Sequence, residues 1–257
     1  MTDPAPGPAR RTESLAGWGG AALALHRLGA GRPVVLLHGL FSSAEMNWLR
    51  FGTAAQLASA GFECLMPDLR AHGHSAAPHD PAAYPADVLV HDLDALVAHL
   101  GLERFDLVGF SLGARTAARG VIAGLAPERL VLAGMGLEGL ASWAARAAFF
   151  RDMIDRFGSF RPGDDAYMSQ QFLKSMGIDR VAARLLLGTM EDTPAAALSA
   201  IAMPTLVLCG SEDQDNGSPD RLAAALPDGH RATIPGTHMG SVTKPELGAA
   251  LVAFLGP

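Results

Sequence analysis

The chain has 257 residues, 49% apolar and 18% charged, a balance that excludes a disordered chain and allows one sizeable core. Twenty basic residues against twenty-six acidic ones leave a formal charge of −6 with no basic run, which argues against a nucleic-acid binder held by phosphate contacts. The longest apolar runs, such as Val34–Leu37 and Thr205–Cys209, have strand length, short of the roughly 20 residues that span a bilayer.

Residues 1–13 are Pro-rich, small and polar, and read as a tail without fixed structure. Arg10–Arg11 precedes a mildly apolar stretch, but Gly17, Gly19, Gly20 and His26 break that stretch, so an export signal is not the favoured reading. Leu15 to Leu28 predicts an N-terminal hairpin. The pattern then alternates: a strand at Val34–Leu37, a helix over Ala44–Ala60, and a strand at Phe62–Met66 stopped by Pro67. A helix follows over Ala86–Leu100, with Leu89, Leu93, Leu96, Val97 and Leu100 on one face and Asp87, Asp92 and Asp94 mostly off it. Phe105–Val108 is the next strand, Leu112–Gly124 a helix, and Arg129–Ala133 a strand. Two more strands (Thr205–Cys209 and Arg231–Ile234) and two more helices (Pro219–Leu226 and Lys244–Phe254) complete the alternation. Such a series implies an α/β fold with a mostly parallel sheet covered on both faces. Residues 136–203 interrupt it with helical periodicity alone (Trp143–Phe157, Ala166–Met176, Arg180–Met190), which reads as a helical cap inserted into a core of residues 1–135 and 204–257. Cys64 and Cys209 lie in apolar strand-like runs and read as buried free thiols of a reducing, cytoplasmic compartment.

Gly109-Phe110-Ser111-Leu112-Gly113 joins a strand to a helix. A serine on so sharp a turn projects its Oγ above the sheet edge, and the flanking positions must be small because strand and helix pass closely there. A serine hydroxyl needs a base, and the base an orienting acid. Glu212, Asp213 and Asp215 lie on the loop after the strand Thr205–Cys209, and His238 on the loop after the last strand. In a parallel sheet those loops open on one edge. An oxyanion would find two backbone donors there: the Leu112 amide at a helix N-terminus, and the Leu40 amide in the loop His38-Gly39-Leu40-Phe41. His38 reads as a support of that loop, and Asp68 and Arg70 as a pair bracing the next one. His72, His74 and His79 lack the spacing and partner ligands of a metal site, so neither metal nor cofactor is expected.

With these motifs the sequence resembles the α/β-hydrolase fold superfamily, in its capped serine hydrolase and esterase branch, over about Leu15 to Leu255. The markers are Val34–Leu40, the run Pro67 to Ser75, the elbow, and the loops Gly210 to Asp213 and Pro235 to His238. The resemblance implies Ser111 as nucleophile, His238 as base and Asp213, three residues after its glycine, as acid, with Asp215 the runner-up. Two departures stand out: Ala71 replaces the usual glycine after the arginine, and the oxyanion loop lacks an HGGG run. The serine argues against the dehalogenases and epoxide hydrolases of this fold, which use an aspartate at the elbow.

The segment 136–203 carries seven of the sixteen aromatic residues, together with Met153, Met168, Met176 and Met190. They read first as ordinary packing of small helices on a sheet, and alternatively as an adaptable apolar roof over the pocket. The candidate pocket residues are Phe41, Phe110, Trp143, Phe150 and Met239, while Arg146, Arg151, Arg156 and Arg161 read as a solvated face. The expected function is hydrolysis of a small or medium apolar carboxylic ester through an acyl-enzyme, acting on a small-molecule substrate without nucleic acid or membrane span. The alternatives are C–C bond hydrolysis of a vinylogous diketone, perhydrolysis with the same triad, or a non-catalytic ligand-binding homologue.

Overall fold

The computed structural model describes residues 10–256. Strands β1 (Arg11–Ala16) and β2 (Ala22–Gly29) form the N-terminal hairpin. There follow β3 (Arg32–Leu37), α1 (Thr53–Ser59), β4 (Phe62–Pro67), α2 (Val88–His99), β5 (Asp106–Phe110), α3 (Leu112–Ile122) and β6 (Leu130–Ala133). Four helices then run consecutively without a strand: α4 (Leu137–Ala141), α5 (Trp143–Asp155), α6 (Tyr167–Ser175) and α7 (Arg180–Leu187). The chain returns to the sheet with β7 (Thr205–Gly210), α8 (Pro219–Ala225), β8 (Gly229–Ile234), α9 (His238–Ser241) and α10 (Pro245–Leu255). One eight-stranded sheet runs in the order β1-β2-β4-β3-β5-β6-β7-β8, antiparallel at β1–β2 and β2–β4 and parallel throughout the rest. This is the helix-covered, mostly parallel sheet with a helical insertion that the alternation predicts.

The strands are buried on both faces because their apolar runs are continuous. Val35, Leu37, Leu107, Leu130, Leu132 and Val207 pack on one side, against Leu93, Leu96, Ala114, Ala117 and Leu222 of α2, α3 and α8. Their neighbours Val34, Leu36, Val108, Phe110, Val131 and Leu208 pack on the other, against α1 and α10. The period of two thus splits one run between two cores. A third cluster, with Trp143, Met153, Ile154, Leu173 and Leu187, holds α5, α6 and α7 together over Phe41. Truncating such fully buried side chains to alanine costs about 2–5 kcal/mol each.

Three expectations need correction. The tail read over residues 1–13 ends earlier, because Arg11, Thr12 and Glu13 pair with Arg27, His26 and Leu25 across the hairpin. That edge of β2 offers free backbone groups, and Glu13 also meets Arg27 at 3.0 Å; the part of the expectation covering residues 1–9 lies outside the described residues. The helix over 44–60 is two pieces, a π-helical turn at Glu45–Leu49 and α1, separated by Gly52 at φ 84°. Asp92 is buried within α2 instead of lying off its apolar face, because Arg70 meets it there.

Candidate active site

The loops after β3, β5, β7 and β8 all leave from the carboxyl edge of the sheet, where open parallel sheets bind ligands. Ser111 sits between β5 and α3 at φ 53°, ψ −108°, a backbone conformation rarely adopted by residues with a side chain. Its amide donates to Ala133 O at 2.8 Å. The flanking glycines are required: a Cβ on Gly109 would lie 2.2 Å from the Gly113 carbonyl carbon, and one on Gly113 would lie 2.1 Å from Leu37 O.

The three residues singled out after different strands converge. His238 Nε2 lies 3.1 Å from Ser111 Oγ, and its Nδ1 lies 2.9 Å from Asp213 Oδ2. Both His238 and Asp213 are buried. Thr237 caps the short α9 through Oγ1 and so fixes the backbone of His238, whose ring lies 5.0 Å from that of Phe110. Burial alone would raise the Asp213 carboxyl, but the bond from His238 and the Asp215 amide outweigh it and hold it below the usual carboxylate range. Asp215 is exposed; its amide donates to Asp213 Oδ1 at 3.1 Å, and no bond joins its carboxylate to His238.

The oxyanion loop is fixed from both sides. The Gly39 amide donates to Asn47 Oδ1 at 3.1 Å and the Phe41 amide to His72 Nε2 at 2.9 Å. The Leu40 amide between them has no protein acceptor among the described residues. The Leu112 amide opens α3, where the first N–H groups have no intrahelical partner. His38 accepts the Leu69 amide at Nε2 and donates from Nδ1 to Gly39 O, so it ties this loop to the one after β4. Burial pushes both imidazoles down, His72 to about 3.

Asp68 and Arg70 are not paired with each other, contrary to the expected brace. Asp68 accepts the Ala44 and His74 amides and bonds His26. Burial opposes its ionisation, yet these bonds hold the carboxyl well below its usual range. Arg70 is fully buried and forks onto Asp92 while donating to Ala83 O and Trp18 O. Five donors need more than one carboxylate, and the N-terminal turn and α2 supply them. Burial pushes the Cys64 and Cys209 thiols up to about 12 and about 11. Among the described residues there is no group of three or more His, Cys, Asp or Glu side chains placed to hold a metal ion, and no helix is long and apolar enough to cross a membrane.

A cavity of about 460 Å³ opens over Ser111 and His238. All five candidate pocket residues, Phe41, Phe110, Trp143, Phe150 and Met239, line it, with Leu40 and Leu112. The sequence reading missed Met46, Phe51, Met135, Met168 and Phe172, and also Arg115. Arg146, read as part of a solvated face, lines the cavity instead and is half-buried. The missed signal was helical spacing: Arg146 stands three residues after Trp143 and four before Phe150, on the same face of α5. Phe149, the residue before Phe150 in that helix, is 39% exposed.

Residues 32–130 match the family model for the alpha/beta hydrolase fold. An AB hydrolase superfamily protein of Bacillus subtilis is 27% identical over 209 residues, 73% of this chain and 76% of the relative. A non-heme haloperoxidase of Rhodococcus erythropolis is 29% identical over 222 residues, 72% of this chain and 76% of the relative. Among solved structures, a thermophilic esterase of Thermogutta terrifontis superposes with a TM-score of 0.72 at 25% identity, covering 95% of this chain and 98% of that one. The chain has the alpha/beta hydrolase fold.

Proposed function

We propose that the protein is a serine hydrolase that cleaves a small or medium carboxylic ester through an acyl-enzyme. The observation that carries this reading is the unbroken chain from Ser111 Oγ through His238 to Asp213 at the floor of an apolar cavity. His238 Nε2 takes the proton as Ser111 Oγ attacks the carbonyl carbon. Asp213 holds the imidazole with Nδ1 protonated and stabilises the imidazolium. The Leu40 and Leu112 amides receive the oxyanion of the tetrahedral intermediate. His238 then returns the proton to the leaving alcohol, activates a water, and the acid departs.

Residues 136–203 act in this reading as a cap whose α5 and α6 roof the site, with Trp143, Phe150 and Phe172 as its apolar ceiling. The likeness to a non-heme haloperoxidase favours a second reading, in which hydrogen peroxide takes the place of water at the acyl-enzyme and leaves as a peracid. Turnover of p-nitrophenyl butanoate by the wild type and not by Ser111→Ala is the expected result; a wild type inert towards a panel of such esters contradicts the reading. Peracid formation from acetate or an ester with hydrogen peroxide separates the second reading from the first.

A further inference from the structure

The polar lining of the cavity is lopsided. Its walls are mostly aromatic, aliphatic and methionine side chains with a few neutral polar ones such as Asn47 and Ser169, yet two guanidinium groups, Arg115 and Arg146, face the same space. Neither has a carboxylate within ion-pair distance among the described residues. Arg115 is almost wholly buried and is held by backbone carbonyls alone, Glu191 O at 2.6 Å, Leu140 O at 2.9 Å and Gly139 O at 3.0 Å, with the Trp143 ring 5.0 Å away. Three carbonyl dipoles orient it without neutralising it, and its charge acts on the cavity.

Arg146 differs in having donors to spare. Nη1 donates to the main-chain oxygen of Asp215, while Nε and Nη2 have no protein partner among the described residues. Its guanidinium lies 5.7 Å from the Phe150 ring. Burial pulls it below its usual range despite the nearby carboxylates of Asp215 and Asp213. A cation kept half out of water against aromatic walls, with two free N–H groups, is suited to bind an anion bidentately. The cavity holds one carboxylate-bearing residue outside the triad, Asp215, which is exposed.

We infer that the ester this cavity takes carries a carboxylate of its own, bound by Nε and Nη2 of Arg146 in a field strengthened by Arg115. The inference rests on the serine-hydrolase reading and narrows it from apolar esters to acid-bearing ones. Arg146 is thereby a specificity-determining residue, and Arg115 a positioning residue that also anchors α4 and the segment after α7 to α3.

Two pairs of esters test it. The first is mono-p-nitrophenyl adipate against its neutral isostere with an isopropyl group in place of the terminal carboxylate, which puts the anion on the acyl side. The second is 4-carboxyphenyl butanoate against 4-isopropylphenyl butanoate, which puts it on the alcohol side. A charge-assisted hydrogen bond to the half-buried Arg146 predicts a preference of about tenfold or more in kcat/KM for the acid, in at least one pair. In Arg146→Met that ratio should fall below about threefold, chiefly through KM, while Arg146→Lys retains part of it. Circular dichroism and fluorophosphonate labelling of Ser111 establish that each variant is folded and assembled. Neutral esters turned over as well as the acids in both pairs, or a preference that survives in Arg146→Met, overturns this inference and leaves the hydrolase reading standing. No turnover of any of the four esters, with Ser111 unlabelled in the wild type, overturns both.

Discussion

His38 and His72 stand edge to face with ring centroids 5.2 Å apart, and each spends both ring nitrogens on the backbone. Nδ1 of each donates to a carbonyl, Gly39 O and Arg70 O, and Nε2 of each accepts an amide, Leu69 and Phe41. The pair therefore stitches the loop after β3 to the loop after β4, with the Leu40 amide held between. Protonating either ring would remove an acceptor and place a cation in the core.

The sign of the resulting pH dependence follows. Folding lowers the pKa of both imidazoles, His72 from 6.5 to about 3, so the unfolded chain binds more protons below the ordinary value. Stability is full above pH 6.5 and falls as the pH drops towards the folded values, with a slope of about 1.4 kcal/mol per pH unit for each such group. His72→Gln, although less stable at neutral pH, should show a slope flatter by about that amount between about pH 6 and pH 4. Urea titrations across this range measure it; an unchanged slope would mean that His72 is charged in the folded protein.

The two aspartates of the β7 loop separate cleanly by substitution. Asp213 bonds Nδ1 of His238 and Asp215 does not. Asp213→Asn should lower kcat by about 10⁴-fold, because an amide no longer selects the imidazole tautomer that accepts at Nε2. Asp215→Asn should cost less than about tenfold, since that carboxylate touches neither Ser111 nor His238. The reverse ranking would make Asp215 the acid.

Ser111 holds a positive φ that stores about 1–3 kcal/mol in a residue with a Cβ. Ser111→Gly releases that strain, less the greater entropy glycine loses on folding. The expected net gain is about 1 kcal/mol, a rise in Tm of about 2–4 °C for a chain of this size, with activity gone. A lower Tm in calorimetry would show that the elbow is not strained.

Arg70 and Asp92 form a buried ion pair with side chains 1% and 5% exposed. Arg70→Met leaves the Asp92 carboxylate without its partner and should cost about 3–5 kcal/mol. The double variant Arg70→Met/Asp92→Leu should recover part of that loss. A double variant no more stable than the single one would show that the bonds from Arg70 to Trp18 O and Ala83 O matter more than the charge.

Most of the architecture was legible because continuous apolar strands and glycine-stopped helices leave period and punctuation in the chain. The residues at the relay were legible for a related reason: Ser111, Asp213 and His238 each follow a strand that the hydropathy pattern marks. What escaped was set by partners far away in sequence. Asp92 looks like a surface residue of α2 until Arg70 reaches it. Arg146 looks like one of a row of exposed arginines until α5 is laid over the cavity. The break at Gly52 follows a π-helical turn, whose extra residue per turn has no signature in a 3.6-residue periodicity.

The central claim is that Ser111 is an activated nucleophile. Intact-mass spectrometry after incubation with a fluorophosphonate, on the wild type and on Ser111→Ala, tests it without knowledge of the substrate. The account predicts one adduct per wild-type chain and none on the variant. A folded wild type that takes up no label, or a Ser111→Ala variant that labels equally, would contradict it.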